Sequence, residues 1–384
     1  MHLGKYYPPS PGGIEAHTRT LARAQAEAGA DVRVVVVNHA DEYGRDVTFD
    51  RFARTPDVVE NDGPIRVHRV GRRANLAKLD VAPGLIATLR RLLCDPPDVW
   101  HLHSPNPTMM LAVLALPRIR PLAVTHHSDI VRQRRLGRAF APLERAVYRR
   151  ASRIIATSEA YADGSELLRT FADKVIAVPL GIDSTPFREP NANALARAAR
   201  FRERYGSPLW LTVGRLIYYK GLSVALDAMK LVPGKLLVIG TGPLEAELKR
   251  TAEALGVGSR VVWHGPASVD ELVGAYRAAT ALWFPSTLRS EAFGLVQVEA
   301  MAAGCPVVNT AIAGSGVAWV CRHDREGFTA PAGDPTAFAA LANRLLDPGV
   351  RGRLADEGRL RAASEFDHRV MAERTLAVYR AALR

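Results

Sequence analysis

Two carboxylates are spaced to act on one ligand. Glu291 lies in a loop between an apolar run, Ala279 to Pro285, and the pair Phe293-Gly294. Glu299 comes eight positions later, in a segment whose apolar side is Leu295, Val298, Met301 and Ala302. That 3-4 spacing predicts a helix opened by Phe293-Gly294, stopped by Gly304 as a C-cap and kept stopped by Pro306. Glu299 then sits about one and a half turns inside the helix. A helix N-terminus offers free N–H groups and a partial positive charge, which suits phosphate. A carboxylate in the loop before it repels phosphate but can accept hydrogen bonds from sugar hydroxyls. A second, deeper carboxylate can take both hydroxyls of a ribose. Phosphate flanked by two such acids fits a nucleotide sugar; the plain alternative is two solvated glutamates near a helix start.

Two cations extend the pattern. Arg215 and Lys220 flank a loop after the apolar run Pro208 to Val213, which reads as a strand. There they can neutralise a leaving diphosphate, each charge-assisted hydrogen bond contributing about 1.5–3 kcal/mol. Asp-x-Asp, the usual holder of a divalent metal at such a site, occurs nowhere. No metal and no resident cofactor are therefore expected. Gly240-Thr241-Gly242 hints at a dinucleotide fingerprint, but the third glycine would fall at Glu245. Gly242 reads instead as part of a tight turn lining the site. His126-His127 ends another predicted strand, Pro121 to Thr125, where ligands of doubly wound sheets bind; a lone histidine there is more often structural.

With seven residues between Glu291 and Glu299, and Phe-Gly-Leu after the first, the spacing resembles the E-x7-E motif of retaining glycosyltransferases of the GT-B fold. EAFGLVQVEAMAAGCPVV closely resembles glycosyltransferase family 4. GRLIYYKG resembles that family's donor-phosphate motif, and GKYYPPSPGGIE its first loop, whose glycines, here Gly12 and Gly13, contact donor phosphate and acceptor. THHSDIVRQR resembles the loop whose histidine contacts the C6 hydroxyl region of the transferred sugar; His127 matches best and His126 competes. PLGID resembles the turn ending the first domain, with Leu180 in place of the usual Asn. The resemblance covers nearly the whole chain.

The resemblance implies two doubly wound Rossmann-like α/β domains facing across a cleft, with a last helix crossing back to the first. The expected boundaries are 1–185 for acceptor binding, 186–366 for the nucleotide sugar, and 367–384 for the returning helix. It implies retention without metal by front-face attack, the departing phosphate accepting the acceptor's proton. Glu291 would hold donor-sugar hydroxyls, Glu299 the ribose, Arg215 and Lys220 the diphosphate. Phe293, Gly294 and Leu295 would supply the helix N-terminus, and the segment at His264 would give backbone contacts to the base. The stretches GKYYPP, HSDIVRQ and VVNTAIAGSGVAWVCRH resemble bacterial mannosyl- and rhamnosyltransferases of surface polysaccharide assembly. GDP-mannose is accordingly the first donor expected and a UDP-hexose the second. The acceptor expected is a saccharide or an undecaprenyl-diphosphate-linked saccharide. The rivals are a non-catalytic nucleotide-sugar-binding scaffold, a GT-B epimerase and a glycosyltransferase of soluble acceptors.

The elements that must position these residues are legible as an alternation. DVRVVVVN (Asp31 to Asn38) is a strand of the kind buried on both faces, preceded by a helix from Ile14 to Ala28. The stub Met1 to Tyr6 is short for a central strand; either it is short or residues precede Met1. Asp41 to Asp62 reads as a polar loop or edge elaboration, and Arg72 to Asp80 as a basic amphipathic stretch. The second half repeats strand and helix, with Asp334 as N-cap and Pro335 at the first helical position.

With 384 residues, 48% hydrophobic and 23% charged, the chain has the balance of two soluble globular domains. No apolar run nears the ~20 residues of a membrane span, and no signal peptide is expected, since Lys5 is followed by Tyr-Tyr-Pro-Pro. Cys94, Cys305 and Cys321 follow no metal or disulfide spacing, which fits a reducing cytoplasm. The net charge is +12, and His101 to Arg150 holds nine arginines against Asp129 and Glu144. No nucleic-acid-binding signature accompanies that patch. It fits an anionic membrane surface or a phosphate-bearing acceptor, hence a peripheral place at the inner face of the plasma membrane. Arginine-rich composition alone is the competing explanation.

Overall fold

The apolar runs form two parallel sheets. The computed structural model describes residues 1–10, 12–48, 50–76, 79–129 and 134–384. The tail of THHSDIVRQR, residues 130–133, and residues 77–78 of the basic stretch lie outside the described residues. The chain divides into two units, Met1–Gly181 with His368–Arg384, and Ile182–Asp367. A bridge between Ile182 and Asp367, with the Ile182 N–H donating to the Phe366 carbonyl, fixes where the second unit begins and ends.

The first unit carries β1 (His2–Leu3), β2 (Arg33–Val37), β3 (Val58–Asp62), β4 (Ile65–Val70), β5 (Ala74–Leu76), β6 (Leu79–Val81), β7 (Trp100–Ser104), β8 (Leu122–His126), β9 (Arg153–Ala156) and β10 (Val175–Ala177). Its main sheet runs β10-β9-β8-β7-β1-β2-β4-β3. Every pair is parallel except β3 with β4. Strand order reverses between β1 and β7, the place where such sheets bind ligands. Val34, Val36, Ile65 and Val67 pack with Tyr7 and Ala22 in its core. The terminal helix His368–Leu383 sets Met371, Ala372 and Val378 against Leu21 and Ala24 of helix Gly13–Glu27.

Two expectations change here, and at Asp41 to Asp62 the structure takes the edge elaboration of the two alternatives. The polar stretch Asp41 to Asp62 contributes an antiparallel edge strand, β3, pinned by Asp62, which accepts from Arg19 at 2.8 Å and from Tyr7 at 2.8 Å. The basic stretch Arg72 to Asp80 is folded inward as the β5–β6 hairpin. Arg72 and Asp80 are both buried, 3.1 Å apart, with the Tyr6 hydroxyl donating to Asp80 at 3.0 Å. Alternation of sign along the sequence could not show that these two charges neutralise each other indoors. Within the basic window, Arg150 is spent on structure: its guanidinium donates to the carbonyls of Val113, Leu116 and Ile119. Among the described residues, no helix is long and apolar enough to cross a membrane.

The second unit carries β11 (Leu209–Val213), β12 (Lys235–Ile239), β13 (Val261–Gly265), β14 (Ala281–Phe284), β15 (Val307–Ala311) and β16 (Gly327–Pro331). They run β13-β12-β11-β14-β15-β16, all parallel. This is the doubly wound order, reversing between β11 and β14. Trp210 and Trp283 stack at 5.1 Å between centroids in its core. Asp334 caps helix Pro335–Arg344 by accepting from Thr336 and Ala337. The loop expected at 314–316 leads into a short helix, Val317–Val320, too short to leave a periodic signal.

Candidate active site

In the second unit the residues singled out from sequence converge on the reversal point. The loop after β11 carries Arg215 and Lys220; the loop after β14 carries Glu291. The Lys220 ammonium lies 2.6 Å from Glu291 Oε2, and the Ser286 hydroxyl donates to the same oxygen at 3.1 Å. The pair is largely sheltered, with side chains 15% and 10% exposed. Lys220 also stands over the Phe284 ring, 5.0 Å from its centre. Arg215 is exposed at the mouth of a small pocket whose walls include Gly214, Lys220, Phe284 and Pro285. Beside them, burial and the Glu291 charge raise the pKa of Tyr219, opposed by the charges of Lys220 and Arg215.

Helix Leu295–Ala303 begins beside this pair and ends at Gly304 in the left-handed conformation. Gly294 precedes it at φ 82, and a Cβ there would meet the Phe284 ring at 2.6 Å. Only glycine meets both conditions. Among the described residues no side chain caps the helix start, which leaves its first N–H groups for a ligand or solvent. The Phe293 ring turns away into an aromatic cluster, 5.7 Å from Phe366, leaving only its backbone for a ligand. Gln297 clamps the entry by donating to the Phe293 carbonyl at 3.0 Å, and Asn309 on β15 donates to Gln297 Oε1 at 2.8 Å.

Glu299 is half-buried inside this helix, and Tyr276 donates to its Oε2 at 2.8 Å. Burial raises the Glu299 pKa, with the Tyr276 hydrogen bond and the Lys220 charge pulling the other way. Burial and the neighbouring Glu299 hold Tyr276 well above the usual phenol range, so it stays a donor. Gly242, in the turn after β12, has no room for a Cβ, which would sit 2.5 Å from the Leu216 carbonyl oxygen. The His264 ring lies away from these residues. It packs edge-on to Phe201 at 5.8 Å and lines a hollow of about 250 Å³ with Arg197, Arg200 and Arg204. That leaves the backbone of its segment, the part expected from sequence to meet a base.

Gly12, Gly13 and His127 belong to the first unit. Gly12 caps helix Gly13–Glu27 in extended backbone, and a Cβ added at Gly13 would meet nothing within 4 Å. His126 and His127 are both buried but differently held. His126 lies between the Tyr148 hydroxyl at 2.6 Å and Asp129 at 3.1 Å. His127 Nε2 stands 3.1 Å from His103 Nδ1. It thereby joins a buried cluster that sequence reading missed: His2 on β1, His101 and His103 on β7, and His17 on helix Gly13–Glu27. Burial lowers all five pKa values: His2 to about 3, His17 to about 4, and His101, His103 and His127 well below the ordinary imidazole value. The only sequence trace was the alternation of His101 and His103, which places both on one strand face. Tyr276, Ser286 and Gln297 left no trace either, since their roles depend on folded contacts.

The sequence matches two families, Glycosyl transferases group 1 over residues 197–361 and Glycosyl transferase 4-like domain over residues 12–181. It is 30% identical over 379 residues to O-antigen chain mannosyltransferase C of Escherichia coli, covering 96% of this chain and 95% of that protein. It is 32% identical over 339 residues to D-rhamnosyltransferase WbpZ of Pseudomonas aeruginosa, covering 88% and 84%. Among solved structures, sucrose-phosphate synthase from Thermosynechococcus elongatus superimposes with a TM-score of 0.80 at 22% identity, covering 99% of this chain and 98% of that one. That likeness shows the fold, GT-B.

Proposed function

The chain belongs to the group 1 glycosyl transferases, and from that premise we propose that it transfers mannose from GDP-mannose, with retention, to a saccharide of cell-surface polysaccharide assembly. The observation that carries the reading is the group at the β11–β14 reversal: Lys220 on Glu291, Arg215 beside them, an uncapped helix start, and Glu299 within that helix. The mannosyl- and rhamnosyltransferases among its relatives support the donor class and the polysaccharide setting.

In this reading the diphosphate lies against Arg215, Lys220 and the N–H groups of Gly294 and Leu295. These positive groups face the charge that develops on the leaving oxygen. They take the role a divalent metal has elsewhere, and no metal is required for transfer. Glu291, steadied by Ser286 and Lys220, accepts from sugar hydroxyls. Glu299, oriented by Tyr276, accepts from the ribose. The acceptor hydroxyl attacks the anomeric carbon on the face the diphosphate leaves. The bond to the leaving oxygen breaks with its electron pair, and that phosphate takes the hydroxyl proton. The excess of arginine over acid in the His101 to Arg150 window supports an acceptor linked to an undecaprenyl diphosphate at an anionic membrane surface.

Thermal stabilisation by GDP, UDP, ADP and CDP without added metal tests this. A ligand at 100 times its dissociation constant adds about 2.7 kcal/mol. Selective GDP stabilisation is expected; selective UDP stabilisation moves the donor to a UDP-hexose. No response to any of them removes the nucleotide-sugar reading and favours a non-catalytic scaffold.

A further inference from the structure

The buried imidazoles of the first unit do more than fill a core. His17, His103 and His127 each bring a ring nitrogen to within 4.8 Å of the other two. His17 is 3% exposed, and among the described residues neither of its nitrogens has a hydrogen-bond partner. Burying two polar nitrogens unpaired costs free energy, and both partners of a ring contact stand beside it: His127 at 4.8 Å and His103 at 5.6 Å between centroids.

The hydrogen-bond chain fixes the tautomer of the central ring. Gln25 donates from Nε2 to Tyr379, so its Oε1 accepts from His2 Nε2 at 2.8 Å. His2 Nδ1 is then an acceptor, and His103 Nε2, 3.0 Å away, must donate to it. That leaves a lone pair on His103 Nδ1, which faces His127 Nε2 at 3.1 Å. Two nitrogens bound to one tetrahedral zinc, each at about 2.0–2.1 Å, stand roughly 3.3 Å apart. The observed separation is close to that. The His2–Gln25 relay behind His103 is the kind of outer hydrogen bonding that orients a ligating imidazole.

We propose that His17, His103 and His127 form a binding site for a divalent transition metal of the zinc class. All three ligands are neutral imidazoles, which suit zinc, cobalt, nickel and copper and not magnesium or calcium. Three nitrogens leave a fourth position for solvent or a ligand atom. Binding replaces the His127–His103 hydrogen bond by two metal bonds and moves the His127 proton to Nδ1. The site stands in the first unit and is independent of the diphosphate site of Arg215 and Lys220.

The test uses the full chain, stripped with chelator and free of any affinity tag, titrated with Co²⁺. One equivalent is expected to give the intense visible absorption of four-coordinate cobalt, displaced by one equivalent of Zn²⁺. His17 makes no hydrogen bond among the described residues, so His17→Phe should keep the fold, checked by circular dichroism, and weaken Co²⁺ binding more than roughly 100-fold. His127→Gln provides the same readout should His17→Phe fold poorly. Absence of the absorption at one equivalent, or its persistence undiminished in the folded variant, overturns the assignment.

Discussion

Each unit reverses its strand order at one place, β1 against β7 in the first and β11 against β14 in the second. The side chains gathered there are opposites. The first collects five buried imidazoles, each held neutral by loss of solvent. The second collects an ammonium, a guanidinium and two carboxylates, and leaves its central ion pair partly open to water. Topology supplies the crevice; the loops supply the chemistry. Charge survives where Lys220 and Glu291 meet each other and solvent, and is suppressed where the histidines are buried against one another, Gln25 and hydroxyls, with the N-terminal ammonium near His2 opposing it further.

The sharpest way to break this contrast is Glu291→Ala. It removes the sugar-facing acid and strips Lys220 of its partner, so transfer should fall ~100- to 1000-fold while circular dichroism stays unchanged. Steady-state rates with GDP-mannose check it; near-normal turnover would sink the catalytic reading.

The second probe is acid. The folded pKa values of His2 and His17 are depressed, to about 3 and about 4. Well above about pH 6.5, the unfolded imidazole value, the imidazoles are neutral in both states and stability is full. As pH falls below that, the unfolded chain binds protons that the folded chain refuses, so stability is lost progressively toward pH 3. A loss of a few kcal/mol in the first unit is expected, since each tenfold loss of proton affinity on folding is worth about 1.4 kcal/mol. Hydrogen exchange in chelator should show β1 and β7 opening before β11 and β14 as the pH drops; the reverse order contradicts the comparison.

Arg215 is exposed, so Arg215→Ala should leave the melting temperature nearly unchanged while lowering kcat/KM by roughly 10- to 100-fold, the worth of one charge-assisted hydrogen bond. An equal loss of stability would recast it as structural. The smallest effect belongs to Tyr276→Phe. It deletes one hydrogen bond to Glu299, and KM for the donor should rise by roughly 2- to 12-fold with kcat little changed. A change confined to kcat would remove Glu299 from donor binding.

Sequence reading carried a long way in the second unit because its evidence was local. Glu291, the helix start and Glu299 lie within nine residues, and Arg215 and Lys220 within six. Glycine and proline around them obey backbone sterics that neighbours do not alter, as Gly304 shows by closing its helix in the left-handed region. In the first unit the same reading found the alternation of strands and left Asp41 to Asp62, where the edge strand β3 lies, as a loop or edge elaboration, but missed the β5–β6 hairpin. Both are held by charge pairs, Asp62 by Arg19 on another element and Asp80 by Arg72 at the other end of the same hairpin stretch, and polar residues paired through folded contacts carry no period.

The sequence by itself determined the alternating α/β architecture, the acid pair at its fixed spacing and the cation pair before it. These follow from side-chain period, capping and local sterics, which act within a few residues. Only the tertiary structure decided that Lys220 rests on Glu291, that Tyr276 orients Glu299, and that His2, His17, His101, His103 and His127 share one buried space. Parallel strands bring together residues far apart in the chain, as β1 beside β7 aligns His2 with His101. Nothing local in a sequence records a pairing of that kind, since the free energy favouring it arises only when both strands are buried together.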